Sequence, residues 1–243
     1  MGSRASSVTG PGPVVLGVDG RRGGWAVAVV EGRPDRARVL TWLTLPGQDA
    51  GPVLDLAHRY GARVVGLDVP VGLPAHDWRP VDLLAKRTLG RAHPRVFLVP
   101  PREVLRAPDY AGARARCRHL LGGRGLSAQT WGLRGPVLAV DDALAEHPPA
   151  RGLVVETHPE LSFAAMTGGV LPSKKTPEGR AARVRALAAW LDGPPAPPGD
   201  DHLDAAACAW SALRWSGQGR PAGPATVLGG DEDERGLPMR IVV

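Results

Sequence analysis

Short apolar runs separated by turn residues fill the beginning of the chain, and their length is typical of β-strands. The runs Val14–Asp19 and Trp25–Val30 are joined by a Gly-rich turn at 20–24, and residues 37–43 form a third run of this kind. Because the connections are too short for a crossover between parallel strands, the three strands are expected to form an antiparallel meander.

Beyond residue 50 the apolar spacing changes to that of helices, which then alternate with strands. Residues 53–60 have the period of a helix closed by Gly61, and a strand of the buried type follows at 63–68. A helix between two strands implies a crossover to a parallel neighbour. The other predicted elements are helices at 81–89, 110–121, 179–191 and 201–215 and a strand at 152–156.

This order of elements predicts one α/β domain, in which a three-strand antiparallel meander continues into parallel strands with helices on both faces of the sheet. Residues 14–215 form the domain, with a basic helical insertion at about 91–139. Residues 1–13 are expected to be disordered. Residues 216–243 are expected to form a tail that can add an edge strand at 237–243.

Positive charge is concentrated in one segment. Residues 86–124 hold ten Lys or Arg and two acidic residues, a charge of +8, so the rest of the chain carries −2 of the net +6. A segment of this charge could bind nucleic acid, or it could be an Arg-rich surface that is only solvated, and the sequence favours neither interpretation. No apolar stretch has the length of a membrane span, the first residues do not resemble a secretory signal, and two cysteines are too few for a disulfide framework. These features predict a cytoplasmic protein.

Three of the predicted strands end in a carboxylate, at Asp19, Asp68 and Glu156. Ligands of open α/β sheets bind beyond the carboxyl ends of the strands, so these side chains are candidates for one catalytic site. Carboxylates gathered there repel one another unless a cation neutralises them. A single acid at such a position could equally begin a turn, and the prediction therefore depends on the whole set.

Two further acids, Asp201 and Asp204, lie three residues apart at the start of the last predicted helix and project from one face of it. Each alone could be a first-turn acid that interacts with the helix dipole. Together with the strand-end acids they predict an oxygen-rich site, which selects Mg²⁺ or Mn²⁺. A pair of such ions can promote phosphodiester hydrolysis, so the sequence predicts a metal-dependent nuclease whose substrate is DNA or RNA.

Seven short segments, taken in order, resemble the family of domains of unknown function numbered 429 (DUF429), whose members are predicted ribonuclease H-like nucleases. They are Gly17-Val-Asp-Gly20 with Gly24-Trp25, Leu67-Asp-Val-Pro-Val-Gly-Leu-Pro74, Arg95-Val-Phe-Leu-Val-Pro-Pro-Arg102, Glu156-Thr-His-Pro-Glu-Leu-Ser-Phe163, Ser173-Lys-Lys-Thr-Pro-Glu-Gly179, Asp200-Asp-His-Leu-Asp-Ala205 and Gly236-Leu-Pro-Met-Arg240. The resemblance covers about residues 14–243 and implies a ribonuclease H-like fold similar to that of Holliday-junction resolvases. It further implies that the metal ligands are Asp19, Asp68, Asp201 and Asp204, while Glu156 stands where only some relatives have an acid.

Weaker candidates for substrate contacts lie outside this acidic set. Arg87 and Arg102 flank the basic insertion and suit phosphate, because a guanidinium group binds it in bidentate fashion. Lys174 and Lys175 could hold a phosphate or stabilise a developing negative charge, or they could be solvated loop residues. Glu160 could join the site or belong to the capping box of its own helix.

Two other functions stay open on the sequence alone. The domain could be a nucleic-acid-binding module without turnover. It could also be an enzyme that handles ATP or another metabolite, for which Gly20-Arg-Arg-Gly-Gly24 would be a faint phosphate loop. A homodimer is compatible with each of these functions.

Overall fold

A six-stranded sheet with the strand order β5-β4-β1-β2-β3-β6 forms the centre of the molecule. The computed structural model describes residues 12–217 and 225–243, so residues 1–11 of the expected disordered segment lie outside the described residues. The strands are β1 (Val14–Arg21), β2 (Gly24–Arg33), β3 (Arg36–Pro46), β4 (Val64–Asp68), β5 (Val154–Glu156) and β6 (Leu191–Asp192).

The directions of the strands confirm the predicted arrangement. Strands β1, β2 and β3 are antiparallel neighbours, whereas β4 runs parallel to β1 and β5 runs parallel to β4. The chain therefore has a ribonuclease H-like fold. The two-residue strand β6 was not expected: the preceding helix ends at Ala188, three residues before the predicted boundary, and the chain then pairs with β3 in parallel.

Helices cover both faces of the sheet, as predicted. They are α1 (Gly51–Arg59), α2 (Pro80–Leu89), α3 (Arg102–Leu105), α4 (Tyr110–Leu120), α5 (Ala128–Gly132), α6 (Arg134–Glu146), α7 (Pro159–Thr167), α8 (Pro177–Ala188) and α9 (Asp201–Ser216). Side chains alternate between the two faces along each strand. Leu16 and Leu67 consequently pack against α1 and α6, and Val15 and Val155 pack against α7, α8 and α9. Of the described helices, none is long and apolar enough to cross a membrane.

Helix α9 approaches the sheet unusually closely at two glycines. A Cβ atom on Gly17 would lie 1.9 Å from the backbone oxygen of Ala205 and 2.3 Å from the backbone nitrogen of Ala209. A Cβ atom on Gly66 would lie 2.5 Å from the backbone oxygen of Cys208. Glycine at both positions therefore allows the start of α9 to reach the carboxyl ends of β1 and β4.

The strand predicted near the C-terminus is present, and it lies in a separate two-stranded sheet. It forms β8 (Pro238–Val242), which pairs with β7 (Val227–Glu232) in a separate antiparallel hairpin. An isolated bridge between Thr157 and Val242 connects this hairpin to the end of β5. A partner only a few residues away in the chain is reached with a smaller loss of entropy than a distant sheet edge.

The basic segment between β4 and β5 is helical, as expected. Helix α4 rests on a small core of its own, in which Ala113 and Cys117 meet Val104 and Leu126. Helix α6 continues beyond residue 139 and packs against the sheet, so the expected end of the insertion falls within a helix.

Asp233 connects the C-terminal hairpin to the loop after β4. Its carboxylate accepts hydrogen bonds from the backbone N–H groups of Leu73, Arg235 and Leu237, and it pairs with Arg102. Burial would raise the pKa of Asp233, but these donors outweigh burial and hold it below its usual value. A carboxylate of this kind contributes stability above its unfolded-state pKa, and the contribution is lost as the pH falls through its lower folded-state pKa.

We expect Asp233→Asn to lower the free energy of unfolding by about 2 kcal/mol at neutral pH, because the charge-assisted hydrogen bonds are weakened. The difference from the parent should be constant down to about pH 5 and should narrow below about pH 4. Urea unfolding across this range measures it, with the exposed Asp231→Asn as the control. A difference that is independent of pH down to about pH 3 would contradict the assignment.

Candidate functional site

Asp19 and Asp68 lie side by side at the ends of two parallel strands. They are paired positions in the register of β1 and β4, so both side chains project from the sheet face that α9 covers. Burial, followed by the charges of Asp68 and Asp204, raises the pKa of Asp19 well above its usual value. Burial also raises the pKa of Asp68, to about 6.

Asp204 brings a third carboxylate to this position from the first turn of α9. The residue is only 3% exposed, and one of its carboxylate oxygens, Oδ2, is paired with the ammonium group of Lys174. The other oxygen, Oδ1, is buried and has no hydrogen-bond partner. Burial raises the pKa of Asp204 to about 6 although Lys174 opposes the shift. The charges of Asp204, Asp19 and Asp68 in turn overcome burial and raise the pKa of Lys174.

Asp201 occupies the rim of the same cluster. Its side chain is 44% exposed and forms an ion pair with Arg21 at 3.3 Å. The charge of Asp201 also contributes to the raised pKa of Asp19. The structure thus brings together the four aspartates that the resemblance implied as metal ligands, three of them inside and one at the edge.

Glu156 faces the opposite side of the sheet. In the register of β4 and β5 it is paired with Leu67 rather than with Asp68, and adjacent residues of a strand point to opposite faces. Its carboxylate binds the fully buried guanidinium of Arg79 at 2.6 Å and accepts a hydrogen bond from the Val71 backbone. Burial raises the pKa of Glu156 to about 7 against the pull of Arg79. Glu156 nevertheless lines the same cavity as the aspartates, but its charge is paired with Arg79.

Glu160 is held by two arginines that sequence reasoning did not select. Arg95 contacts one of its oxygens at 2.7 Å, and the buried Arg183 contacts the other at 2.6 Å. The helix that contains Glu160 has no side-chain cap at its start, so the capping-box alternative is not realised. Arg95 begins one of the segments that resemble DUF429, but nothing in its local sequence indicates that it pairs with Glu160, 65 residues away.

A cavity of about 480 Å³ opens over the acidic cluster. Its charged lining consists of the acids Asp19, Asp68, Asp82, Glu156, Glu160, Asp201 and Asp204 and the bases Arg95, Lys174 and Lys175. Phe97 and Leu133 from the insertion also contribute to its walls, and both are partly exposed. The cavity is therefore acidic at the strand ends, basic along one loop and apolar on the side of the insertion.

The two arginines expected to clamp phosphate are placed elsewhere. Arg102 is paired with Asp141 and Asp233, and only 11% of its side chain is exposed. Arg87 is exposed on α2, where it donates to the backbone oxygen of Leu83. Neither is among the residues that line the cavity. The local sequence does not show which arginines of the basic segment form ion pairs within the protein. Several of them are paired with acids from distant elements and are therefore not available to phosphate.

The donor set suits a hard divalent cation, but it is not arranged as a preformed metal centre. Across residues 12–217 and 225–243, no group of three or more His, Cys, Asp or Glu side chains has the geometry of a metal site. The ammonium group of Lys174 lies against Asp204 instead. The unpartnered, buried Oδ1 of Asp204 is nevertheless the kind of atom that a cation would satisfy.

A sequence profile described as "Protein of unknown function (DUF429)" matches residues 17–231. The chain belongs to this family. No curated protein matches the sequence significantly. Among solved structures, this DUF429 protein is similar to the Thermus thermophilus RuvC structure, with 16% identity and a TM-score of 0.43 over 85% of this chain and 97% of that chain. It is also similar to T. thermophilus RuvC in complex with a Holliday junction substrate, with 16% identity and a TM-score of 0.40 over 82% and 91% of the two chains.

Proposed function

We propose that this DUF429 protein is a divalent-metal-dependent nuclease that hydrolyses phosphodiester bonds in nucleic acid. The observation that carries the proposal is the convergence of Asp19, Asp68 and Asp204 on one cavity, with a buried oxygen of Asp204 unpartnered. Raised pKa values show that these carboxylates are costly to keep ionised side by side. Such a cost is typical of functional sites, where a ligand offsets it.

Within the proposal, each group of residues has one task. Asp19, Asp68 and Asp204 would hold Mg²⁺ or Mn²⁺, with Asp201 at the rim able to join them. A cation held there would supply Lewis acidity to phosphodiester hydrolysis. Lys175 lies at the cavity on the same loop as Lys174 and is placed to contact a phosphate of the nucleic-acid backbone.

The ATP-handling alternative loses the feature that favoured it. The segment Gly20-Arg-Arg-Gly-Gly24 is a tight hairpin, in which Arg21 pairs directly with Gly24 as β1 turns into β2. A phosphate loop would instead lead into the N-terminus of a helix, where backbone N–H groups are available to the anion.

The proposal is tested by incubating the purified protein with Mg²⁺ or Mn²⁺ and single-stranded, duplex, hybrid and branched nucleic acids. We expect cleavage by the parent, and a loss of about 100-fold or more for both Asp19→Asn and Asp204→Asn, because the charges that hold the cation are removed. Replacing the crowded carboxylate of Asp19 also relieves repulsion, so Asp19→Asn should not melt at a lower temperature than the parent in chelator.

Asp231→Asn, in the exposed part of the C-terminal hairpin, is the matched control and should cleave like the parent. Salt-dependent binding without cleavage would identify a binding module instead of a nuclease. Neither binding nor cleavage on any of the substrates would reject nucleic acid as the substrate.

A further inference from the structure

Lys174 is the one lysine whose ammonium group is paired with the acidic cluster in the described part of the chain. It contacts Asp204, and its charge acts on Asp19 and Asp68 as well. About 40% of its side chain is exposed, so the contact is a solvent-accessible part of the cavity and not a sealed core ion pair. A positive charge is thus already present where the acids would otherwise repel one another.

The loop that carries Lys174 is anchored through Glu160. Arg95 binds Glu160 and also donates a hydrogen bond to the backbone oxygen of Leu171, while Arg183 binds Glu160 and donates to the backbone oxygen of Pro172. A buried carboxylate therefore fixes two consecutive backbone carbonyls through two guanidinium groups. Glu160 acts as a positioning residue for the loop.

Close packing on the other side of the loop limits its movement further. Thr176 caps α8 and also donates its hydroxyl to the backbone oxygen of Ser173. A Cβ atom on Gly179 would lie 2.1 Å from that same oxygen, so the helix and the loop are in direct contact. Because both sides of the loop are fixed, Lys174 is presented to Asp204 by a rigid support.

We propose that Lys174 is a built-in cation of the acidic site, so that the site binds one divalent ion and not the pair expected from the carboxylates alone. The inference rests on the metal site of the proposed function and deepens it. With all three carboxylates ionised, Asp19, Asp68, Asp204 and the ammonium group of Lys174 sum to two negative charges, which one divalent ion neutralises. A second ion would leave excess positive charge in a buried site, which is unfavourable.

Calorimetric titration of the metal-free protein with Mn²⁺ tests this inference by stoichiometry, independently of cleavage. We expect the parent and Lys174→Arg to bind one ion per chain with similar affinity, and Lys174→Met to bind its ion at least about tenfold more tightly, because the repelling ammonium group is removed. Lys175→Met is the matched control, because it removes the same charge from the same cavity without removing the contact to Asp204, and it should bind one ion with an affinity close to that of the parent.

The melting temperature gives a second readout on the same variants. In chelator, Lys174→Met should melt roughly 5 °C below the parent because its three carboxylates are uncompensated, and Mn²⁺ should abolish the difference. Two ions in the parent, or an affinity for Mn²⁺ that is unchanged in Lys174→Met, would overturn the role of Lys174 and leave the nuclease proposal standing. No Mn²⁺ binding by the parent or by any variant would overturn both.

Discussion

Gly17→Ala is expected to disrupt the fold and the acidic site together. The added Cβ atom would lie 1.9 Å from a backbone oxygen of α9, which cannot move aside as a flexible side chain would. Helix α9 must therefore shift away from β1. We expect a loss of about 4 kcal/mol or more in the free energy of unfolding, which corresponds to roughly 10 °C or more in melting temperature.

The same shift should be visible at the aspartates proposed to bind the metal. Asp204 immediately precedes Ala205, the residue against which Gly17 packs, so displacement of α9 separates Asp204 from Asp19. Stabilisation by Mn²⁺ in a thermal melt should therefore be lost along with the intrinsic stability.

Gly125→Ala is the control for this prediction, because a Cβ atom there meets nothing within 4 Å and its backbone is not left-handed. It should alter the free energy of unfolding by less than about 0.5 kcal/mol. If Gly17→Ala were equally harmless, the close approach of α9 to the sheet would be wrong, and with it the position of Asp204.

Arg79→Met is expected to have the second largest effect, on stability. The fully buried guanidinium contacts Glu156 at 2.6 Å and Asp82 at 3.3 Å, and both acids are nearly inaccessible to water. Removal of the arginine leaves two buried carboxylates without their counter-ion, which costs about 3–5 kcal/mol.

This loss should depend on pH in a defined direction. Burial already raises the pKa of Glu156 to about 7, and without the opposing charge of Arg79 it rises further. A group whose folded-state pKa exceeds its unfolded-state pKa favours folding at low pH, and this contribution is lost as the pH rises. The deficit of Arg79→Met should therefore be small near pH 5 and largest near pH 8 in chemical unfolding experiments.

The double variant Arg79→Met/Glu156→Gln separates the ion pair from simple packing. It removes the unpaired charge at Glu156 and should recover part of the stability lost in Arg79→Met at about pH 8. A double variant as unstable as Arg79→Met at every pH would show that packing of the arginine, and not its charge, stabilises this part of the core.

Most of the acidic site could be predicted because its aspartates lie at positions that local sequence patterns identify as the ends of strands or the start of a helix. Asp19 and Asp68 end apolar runs of strand length, and Asp201 and Asp204 begin an Ala-rich helix. Since parallel strands end at the same edge of a sheet, such positions converge whatever the details of packing. The same reasoning could not separate Glu156 from this set, because all three strands end in an acid.

Local sequence alone determined strands β1 to β5, helices α1, α2, α4, α8 and α9, and the carboxylates at the ends of these elements. The tertiary structure decided which of the acids face one another and which cations they meet: the register of β5 turns Glu156 towards Arg79, and Lys174 reaches Asp204 across 30 residues. The physical reason is that strand and helix formation follow from short-range periodicity. The side of the sheet to which a side chain points, and the charge with which it pairs, depend on contacts between distant segments.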